Sequence, residues 1–276
     1  MALLRYTREV LSLGAVLRDL ARNRELIRSM VVRDFVGRYR GSFIGLYWSI
    51  INPLVLMALY TIVFSVFLKV RFSTDDSPID FALYLLCAML PWNAFAEGLT
   101  RSANVIRENA SLVKRVVFPL EILPLNLALS AMIHEVIGLV LLTALIAIIN
   151  KRLYWTLLMV PLLLGIQLLF AVGMNWVMAS LGVFLRDMLQ MIGLVLTAWM
   201  FLTPVFYPEN VVPARLQIVL WLNPMARLVR YYRMVLLGGN LPDPVGLAAL
   251  AIGVMLVFLF GYFWFSKTKS MFADVV

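Results

Sequence analysis

This sequence has few of the residues from which soluble enzymes build reactive sites. Among its 276 residues there are one cysteine, Cys87, and one histidine, His134. A single cysteine forms no disulfide within the chain, and neither residue type is numerous enough for the clusters that hold metals. The Gly-x-Ser-x-Gly pattern of serine hydrolases is absent as well. The sequence therefore predicts no catalytic residue, metal or cofactor bound by this chain.

Charged residues are also scarce. Only 14% of the chain is charged and 63% is hydrophobic, with a mean hydropathy of +0.92. A soluble globule of this size would have too little polar surface, so the composition indicates an integral membrane protein. The net charge of +9 does not favour nucleic acid as a partner, because the basic residues gather beside apolar runs.

Six apolar windows are long enough to cross a bilayer, which takes about 20 residues of helix. A mixed, proline-rich segment separates the last two windows and predicts two short helices that form a re-entrant hairpin. The fourth window is too long for one upright crossing and is expected to tilt, protrude or break near Pro161. The predicted spans are about 46–68, 79–100, 120–149, 153–185, 188–206 and 245–266.

The predicted fold is an all-α membrane protein with both termini in the cytoplasm. Sixteen of the 24 lysines and arginines fall on the side that holds the amino terminus, as the positive-inside rule requires of a cytoplasmic face. The predicted regions are a cytoplasmic amino-terminal segment 1–45, a transmembrane domain 46–266 that includes a basic segment 101–119 and a helical hairpin 207–240, and a cytoplasmic tail 267–276.

An arginine-rich helix precedes the first span. Its apolar residues follow an i, i+4 rhythm, which predicts an amphipathic helix at the membrane interface. Its arginines either anchor to acidic lipid headgroups or contact a substrate phosphate, and the pattern leaves both readings open. The residues of the apolar face are Leu26, Ile27, Met30, Val31 and Phe35; the candidate substrate-loading residues are Arg28, Arg33, Arg38 and Arg40.

Two basic segments lie between spans on the predicted cytoplasmic side. The residues 103–117 indicate a short polar helix that a soluble partner could contact, although an ordinary basic loop has the same composition. The pair Arg186-Asp187 is either a second contact or a local ion pair at a turn. The candidate coupling residues are Arg107, Glu108, Lys114, Arg115, Arg186 and Asp187.

The re-entrant segment and the spans contain further candidates. Arg227, Arg230 and Arg233 share one helical face; they are expected at the outer interface with Tyr231 and Tyr232 as anchors, or facing an anionic headgroup or polymer. Aromatic residues near the spans either line a substrate path or pack. The channel or gate candidates are Trp48, Trp92, Phe95, Tyr207, Asn223, Arg230 and Arg233.

The adjacent pair His134-Glu135 lies within an apolar window, where ionisable groups are rare and usually functional. A structural bond to another helix explains it equally well. The best match to a phosphate-binding loop, 261–268, has serine in place of the second glycine and ends an apolar span. ATP-driven transport would therefore require another polypeptide to bind the nucleotide.

Six sequence elements, in order along nearly the whole chain, resemble the permeases of type 2 ABC transporters that export polysaccharides, O antigens and teichoic acids. No single element is decisive, but their order is specific. The elements are Arg38-Tyr39-Arg40-Gly41-Ser42 with Trp48 and Pro53; Pro91-Trp92-x-x-Phe95; 109–115 with Phe118-Pro119; Leu185-Arg186-Asp187; Thr203-Pro204-Val205-x-Tyr207-Pro208; and Leu222-Asn223-Pro224.

The resemblance implies a permease in the cytoplasmic membrane of a bacterium that pairs with a second copy of itself. It also implies two separate ATP-binding cassette subunits, which bind ATP and magnesium, and a polyprenyl-diphosphate-linked glycan as the substrate. By the same resemblance, 101–119 and Arg186-Asp187 are coupling elements, and the hairpin gates the outer mouth.

Two other classes are less well supported by the residues. A secondary transporter is expected to show inverted repeats and ion-binding carboxylates at the midplane, but only Glu135 lies deep in a span. A membrane-embedded glycan enzyme would need paired acids or a metal cluster in its outer loops, and the acidic residues there have no such spacing.

Overall fold

The computed structural model describes residues 21–38, 44–67, 78–114, 118–185 and 187–275, together with Gly14, Arg18 and Gly41. All regular structure within these ranges is helical. The α-helices are α1 (Arg24–Gly37), α2 (Trp48–Thr61), α3 (Pro78–Glu108), α4 (Ala110–Val113), α5 (Ile122–Asn150), α6 (Val160–Phe184), α7 (Met188–Leu202), α8 (Gln217–Leu222), α9 (Pro224–Arg233), α10 (Pro244–Thr268) and α11 (Phe272–Val275).

Four of these helices, α3, α5, α6 and α10, are long and apolar enough to cross a membrane. Helices α2 and α7 are apolar but shorter, and α2 continues into a π-helical segment, Ile62–Phe67. The six helices lie in the six apolar windows of the sequence. The prediction of an all-helical membrane protein is therefore confirmed for the part of the chain that the structure describes.

Helix α3 extends beyond the predicted span. The sequence predicts a span to residue 100 and a separate polar helix over 103–117, but α3 continues without a break to Glu108. Ala103, Val105 and Ile106 are buried, so an apolar face continues past the end of the apolar window. The predicted polar helix is therefore not separate from the span. Its first part belongs to α3, and the short helix α4 follows after a turn at Asn109.

Helix α6 begins where the sequence predicts a break. A 3₁₀ turn, Trp155–Met159, precedes it, and Pro161 lies in its first turn. Proline is favoured there because its missing N–H would have no partner in the helix. The fourth apolar window thus divides into a turn and one helix.

Helices α6 and α10 pack backbone against backbone. A Cβ atom added to Gly261 would overlap the carbonyl of Gly173, and one added to Gly173 would lie 2.8 Å from the Cα of Phe258. Small residues permit this close approach, as in other membrane helix pairs. Helix α3 lies against both α5 and α6, so it is the central helix of the bundle.

Helices α8 and α9 form the predicted pair of short helices. Asn223 separates them and caps α9 by accepting hydrogen bonds from the backbone N–H groups of Met225 and Ala226. A π-helical segment, Met234–Gly238, extends α9 and ends at Gly239, whose φ of 62° suits glycine.

Candidate functional site

Helix α1 lies on the bundle rather than apart from it. Met30 is buried, and Leu26 and Ile27 pack against the core. These three residues of the predicted apolar face thus pack against protein, and the placement of α1 at a membrane interface stays a prediction. Arg28 and Arg33 lie on the exposed side of α1, while Arg40 falls outside the described residues.

A junction cluster joins the end of α1 to helices α3 and α5. We use this name for Asp34, Arg38, Glu97, Arg101, Ser130 and His134. Arg101 binds Asp34 through both of its terminal nitrogens, at 2.9 and 2.6 Å, and the Ser130 hydroxyl donates to the same carboxylate at 2.6 Å. Arg38 forms an ion pair with Glu97 and lies 3.4 Å from Asp34. The cluster therefore fixes α1 to two long helices.

Electrostatics keep Asp34 ionised in this cluster. Burial alone would raise the pKa of its carboxyl. Hydrogen bonds from Arg101 and Ser130, with the charges of Arg101 and Arg38, outweigh that effect and lower the pKa to about 2. Arg38, a candidate for binding a substrate phosphate, therefore already has two carboxylate partners in this chain.

The two predicted coupling segments meet at one end of the bundle. Arg107 at the end of α3 donates to the carbonyl of Val183 at 2.9 Å, and Val183 lies in the last turn of α6. Asp187, just beyond α6, and Lys114 are exposed, and Glu108 accepts a bond from Asn104 at 2.8 Å. Arg115 and Arg186 lie outside the described residues.

The end of the chain packs beneath these segments, a feature that the sequence analysis missed. Phe272 is fully buried, with its ring 6.1 Å from that of Phe184, and Lys269 pairs with Glu121 at the start of α5. Helix α11 also contacts α4. The predicted tail 267–276 thus contains a packed element, and the signal for it in the sequence was the aromatic residue Phe272 beyond the last apolar window.

At the opposite end, α9 is tied to several helices. Arg233 donates to the carbonyls of Tyr84 at 3.1 Å, Pro204 at 2.6 Å and Val205 at 2.9 Å. Its guanidinium also lies 3.3 Å from the centre of the Tyr84 ring. Arg233 is buried, so it crosslinks α9 to α3 and to the segment after α7; its role in a gate stays a prediction.

The other gate candidates are bonded within the same region. The Asn223 amide accepts from the indole of Trp199 at 3.0 Å and donates to the Thr203 hydroxyl at 2.9 Å. Tyr207 donates to the Phe201 carbonyl at 2.6 Å. Arg230, unlike Arg233, is exposed and pairs with Glu209.

The expectation that Tyr231 and Tyr232 anchor the hairpin at an interface is wrong, because both are buried. Tyr232 donates to the Gln167 side chain at 2.9 Å, and Gln167 donates to Glu135 at 2.6 Å. An amphipathic pattern does not distinguish protein from water or lipid as the surroundings of a tyrosine. Glu135 is thus bonded to a residue of another helix, α6, which is one of the two interpretations that the sequence left open.

The aromatic candidates separate into two groups. Trp92 and Phe95 are buried in a cluster in which the Phe95 ring stacks on Phe170 at 5.2 Å and meets Trp199 edge-on at 5.3 Å. They therefore pack the core of the single chain. Trp48 is 40% exposed and borders a groove.

This groove, of about 210 Å³, lies between α2, α3 and α5. We call it the α2–α3 groove. Apolar side chains form most of its wall, and polar groups are spaced along it. Its lining includes Arg38, Trp48, Asn52, Asn93, Glu97 and Glu135.

Residues 25–237 match the family described as ABC-2 type transporter. The chain belongs to this family. It is 28% identical over 263 residues to the O-antigen export system permease protein RfbA of Myxococcus xanthus. This alignment covers 95% of this chain and 99% of that relative. A protein of the same name from Klebsiella pneumoniae is 25% identical, covering 91% and 95%, and the polysialic acid transport protein KpsM of Escherichia coli is 22% identical, covering 85% and 90%.

For this ABC-2 family member, the resemblance drawn from the ordered motifs is confirmed, but several motif residues have structural partners. Arg38, Asn223 and the buried Trp92 and Phe95 are held by contacts within one chain. The motifs therefore mark where helices join at least as much as where a substrate would bind.

Proposed function

We propose that this chain is the membrane-spanning permease subunit of an ATP-driven exporter of a cell-surface polysaccharide. The observation that carries the proposal is near full-length similarity to permeases of O-antigen export, within an ABC-2 family match over residues 25–237. The apolar helices are long enough to cross a membrane, and the relatives are bacterial export permeases, which together support the cytoplasmic membrane of a bacterium as the location. It acts as a transporter subunit and not as an enzyme.

The finer topology that we propose has six crossings with both termini in the cytoplasm. Contacts at the helix ends support it. Arg107 joins the end of α3 to the end of α6, and the ion pair of Lys269 with Glu121 joins the end of α10 to the start of α5. An antiparallel arrangement of α5 with α3, α6 and α10 brings these ends together on one side.

Contacts at the other ends agree with this arrangement. Arg233 binds the Tyr84 carbonyl near the start of α3, and Arg227 donates to the Gly246 carbonyl at the start of α10. Thr156, just before α6, donates to Val235 at 2.8 Å. The α8–α9 hairpin therefore lies at the side opposite the coupling segments, where we propose that it gates the outer mouth.

The partners in this proposal are a second copy of the chain and two ATP-binding cassette subunits, which bind ATP and magnesium. The substrate is a polysaccharide on a polyprenyl-diphosphate carrier. Lys114 and Asp187, exposed at the end where α3, α6 and α10 finish, are available to the ATP-binding subunits. Arg28 and Arg33 on the exposed side of α1 are available to acidic headgroups of lipid or carrier.

The test is deletion and affinity purification in the native cell. We expect loss of the chain to stop glycan from reaching the surface and to leave lipid-linked glycan inside, and we expect the tagged chain to copurify with an ATP-binding cassette subunit. Lys114→Glu should reduce glycan-dependent ATP hydrolysis, with Lys151→Gln, an exposed lysine after α5, as the matched control. Unchanged surface glycan in the deletion strain, with no copurifying ATPase, would refute the proposal.

A further inference from the structure

The α2–α3 groove contains two asparagines in helices that are otherwise apolar. Asn52 lies one helical turn after the start of α2. Asn93 lies one helical turn before Glu97, closer to the middle of α3. Both line the groove and both are exposed. Their position differs from that of Gln167, whose amide is buried and bonded.

The two amides are not used by the fold. Within the described parts of the chain, neither the Asn52 nor the Asn93 side chain has a hydrogen-bond partner. Hydrocarbon cannot satisfy an amide, and transferring one there without a partner costs several kcal/mol. Polar residues within membrane spans usually face a cavity or a bound partner for this reason. The groove is therefore expected to hold something that bonds with amides.

The charges in the groove disfavour an anion. Arg38 is the arginine at one end, and it is already paired with Glu97 and lies 3.4 Å from Asp34. A phosphate binding there would compete with two carboxylates, and Glu135 also lines the groove. The positive charge is locally balanced, so the groove suits an uncharged ligand better than a diphosphate.

The remaining groups match the chemistry of a sugar chain. Each asparagine amide offers two N–H donors and a carbonyl acceptor, which are the complements of hydroxyl groups. Trp48, 40% exposed, presents an aromatic surface, and Leu86 and Met89 form part of an apolar wall. A sugar ring combines hydroxyl edges with apolar C–H faces, so amides and an aromatic ring together fit it.

We propose that the α2–α3 groove binds an uncharged stretch of the exported glycan, with Asn52 and Asn93 bonding to sugar hydroxyls and Trp48 contacting a ring face. The proposal rests on the function proposed above. It assigns glycan contact to this groove and not to the buried aromatics Trp92 and Phe95.

The proposal can be tested by the accessibility of thiols introduced in the groove. The native Cys87 is fully buried, so Cys87→Ala gives a background in which Asn52→Cys or Asn93→Cys supplies one reactive site. The complex with its ATP-binding subunit is purified from native membranes and treated with a water-soluble thiol reagent. Labelling is compared without ligand, with lipid-linked glycan from export-blocked cells, and with the carrier diphosphate bearing only its first sugar.

We expect both thiols to react without ligand, the full glycan to slow labelling, and the one-sugar carrier to leave it unchanged. The matched control is Leu59→Cys on α2, which is 51% exposed and does not line the groove; glycan should not alter its labelling. Slowing by the one-sugar carrier would assign the groove to the carrier or its headgroup and overturn the proposal. Absence of labelling in every state would mean that a second copy or lipid covers the groove, and would also overturn it.

Export measurements separate this inference from the proposed function. Asn52→Leu and Asn93→Leu should each lower the export rate by roughly two- to tenfold, the effect of one lost hydrogen bond, whereas glutamine at each position should restore part of it. Unchanged export in the double leucine variant, inserted at normal levels, would contradict the groove while leaving the exporter intact. Export that does not depend on the chain at all would instead refute the proposed function.

Discussion

Replacing Asp34 with asparagine is expected to loosen α1 from the rest of the bundle. The carboxylate accepts two bonds from Arg101, at 2.9 and 2.6 Å, and one from Ser130 at 2.6 Å. Asparagine keeps the shape but loses the charge and one acceptor oxygen. Arg101 then keeps at most one bond to the remaining side-chain oxygen, besides the more distant Glu97 at 3.6 Å.

The magnitude follows from the partial burial of the pair. Breaking a fully buried ion pair costs about 3–5 kcal/mol, while an exposed pair contributes about 0–1 kcal/mol. The Asp34 and Arg101 side chains are 19% and 34% exposed, which places Asp34→Asn between these limits, at about 2 kcal/mol. A double-mutant cycle with Arg101→Gln should recover most of this as a coupling energy, since both changes remove the same bonds.

The assay is unfolding of the purified protein in detergent, with protease cleavage within α1 as a local measure. Glu25→Gln on α1 is the matched control because Glu25 is exposed, and it should change stability by less than about 0.5 kcal/mol. Equal effects of the two substitutions, or a coupling energy near zero, would refute the assigned contact.

The same contact has a defined pH dependence. The pKa of Asp34 in the folded chain, about 2, is lower than its ordinary value of 3.8. Its contribution to stability is therefore fully present above about pH 4 and is lost as the pH falls through about 2. Cleavage within α1 should rise over that acidic range in the native protein and show a smaller rise in Asp34→Asn.

Three further substitutions test the packing at other places. Gly261→Ala should destabilise the protein by about 1–3 kcal/mol because the added methyl group meets the backbone of α6. Gly253→Ala, at a position on the same helix with open space around it, should not destabilise the protein. Equal shifts of the melting temperature in the two variants would contradict the close approach of α6 and α10. Phe272→Ala should lower the stability by about 3 kcal/mol and expose the end of the chain to carboxypeptidase. Val275→Ala, at a residue that is 53% exposed, should do neither. If carboxypeptidase digested Phe272→Ala no faster than the native protein, other contacts would hold the tail. Arg233→Lys should lower thermal stability by about 1–3 kcal/mol because one ammonium cannot reach all the carbonyls that the guanidinium binds, and a neutral result would refute its role as a crosslink.

The sequence predicted those parts of the fold that depend on local composition. The apolar windows located six helices, and the proline-rich segment between the last two windows located the short helices α8 and α9. A window of hydropathy carries no information about distant partners, however. The bonds of Asp34 join residues 67 and 96 positions away, so the junction cluster was not predictable from spacing.

The surroundings of amphipathic residues were the second source of error. Tyr231 and Tyr232 were expected at an interface, as tyrosines near spans often are, but other helices enclose them. Neither Asn52 nor Asn93 was predicted as a site residue, because an asparagine carries neither a charge nor an aromatic ring. Uncharged polar residues inside apolar windows were the available signal for the α2–α3 groove.

The boundary drawn at residue 101 between a span and a coupling segment does not correspond to a physical division of the chain. Helix α3 is continuous from Pro78 to Glu108. It carries both the Tyr84 carbonyl that Arg233 binds and the Arg107 side chain that binds Val183. These two positions are about 35 Å apart along one helix axis. Pro91 lies between these two positions and has no N–H to donate, so the intrahelical ladder lacks one bond there. Helix α3 nevertheless joins the end that carries Arg107 to the end at which Arg233 of the α8–α9 hairpin is bonded.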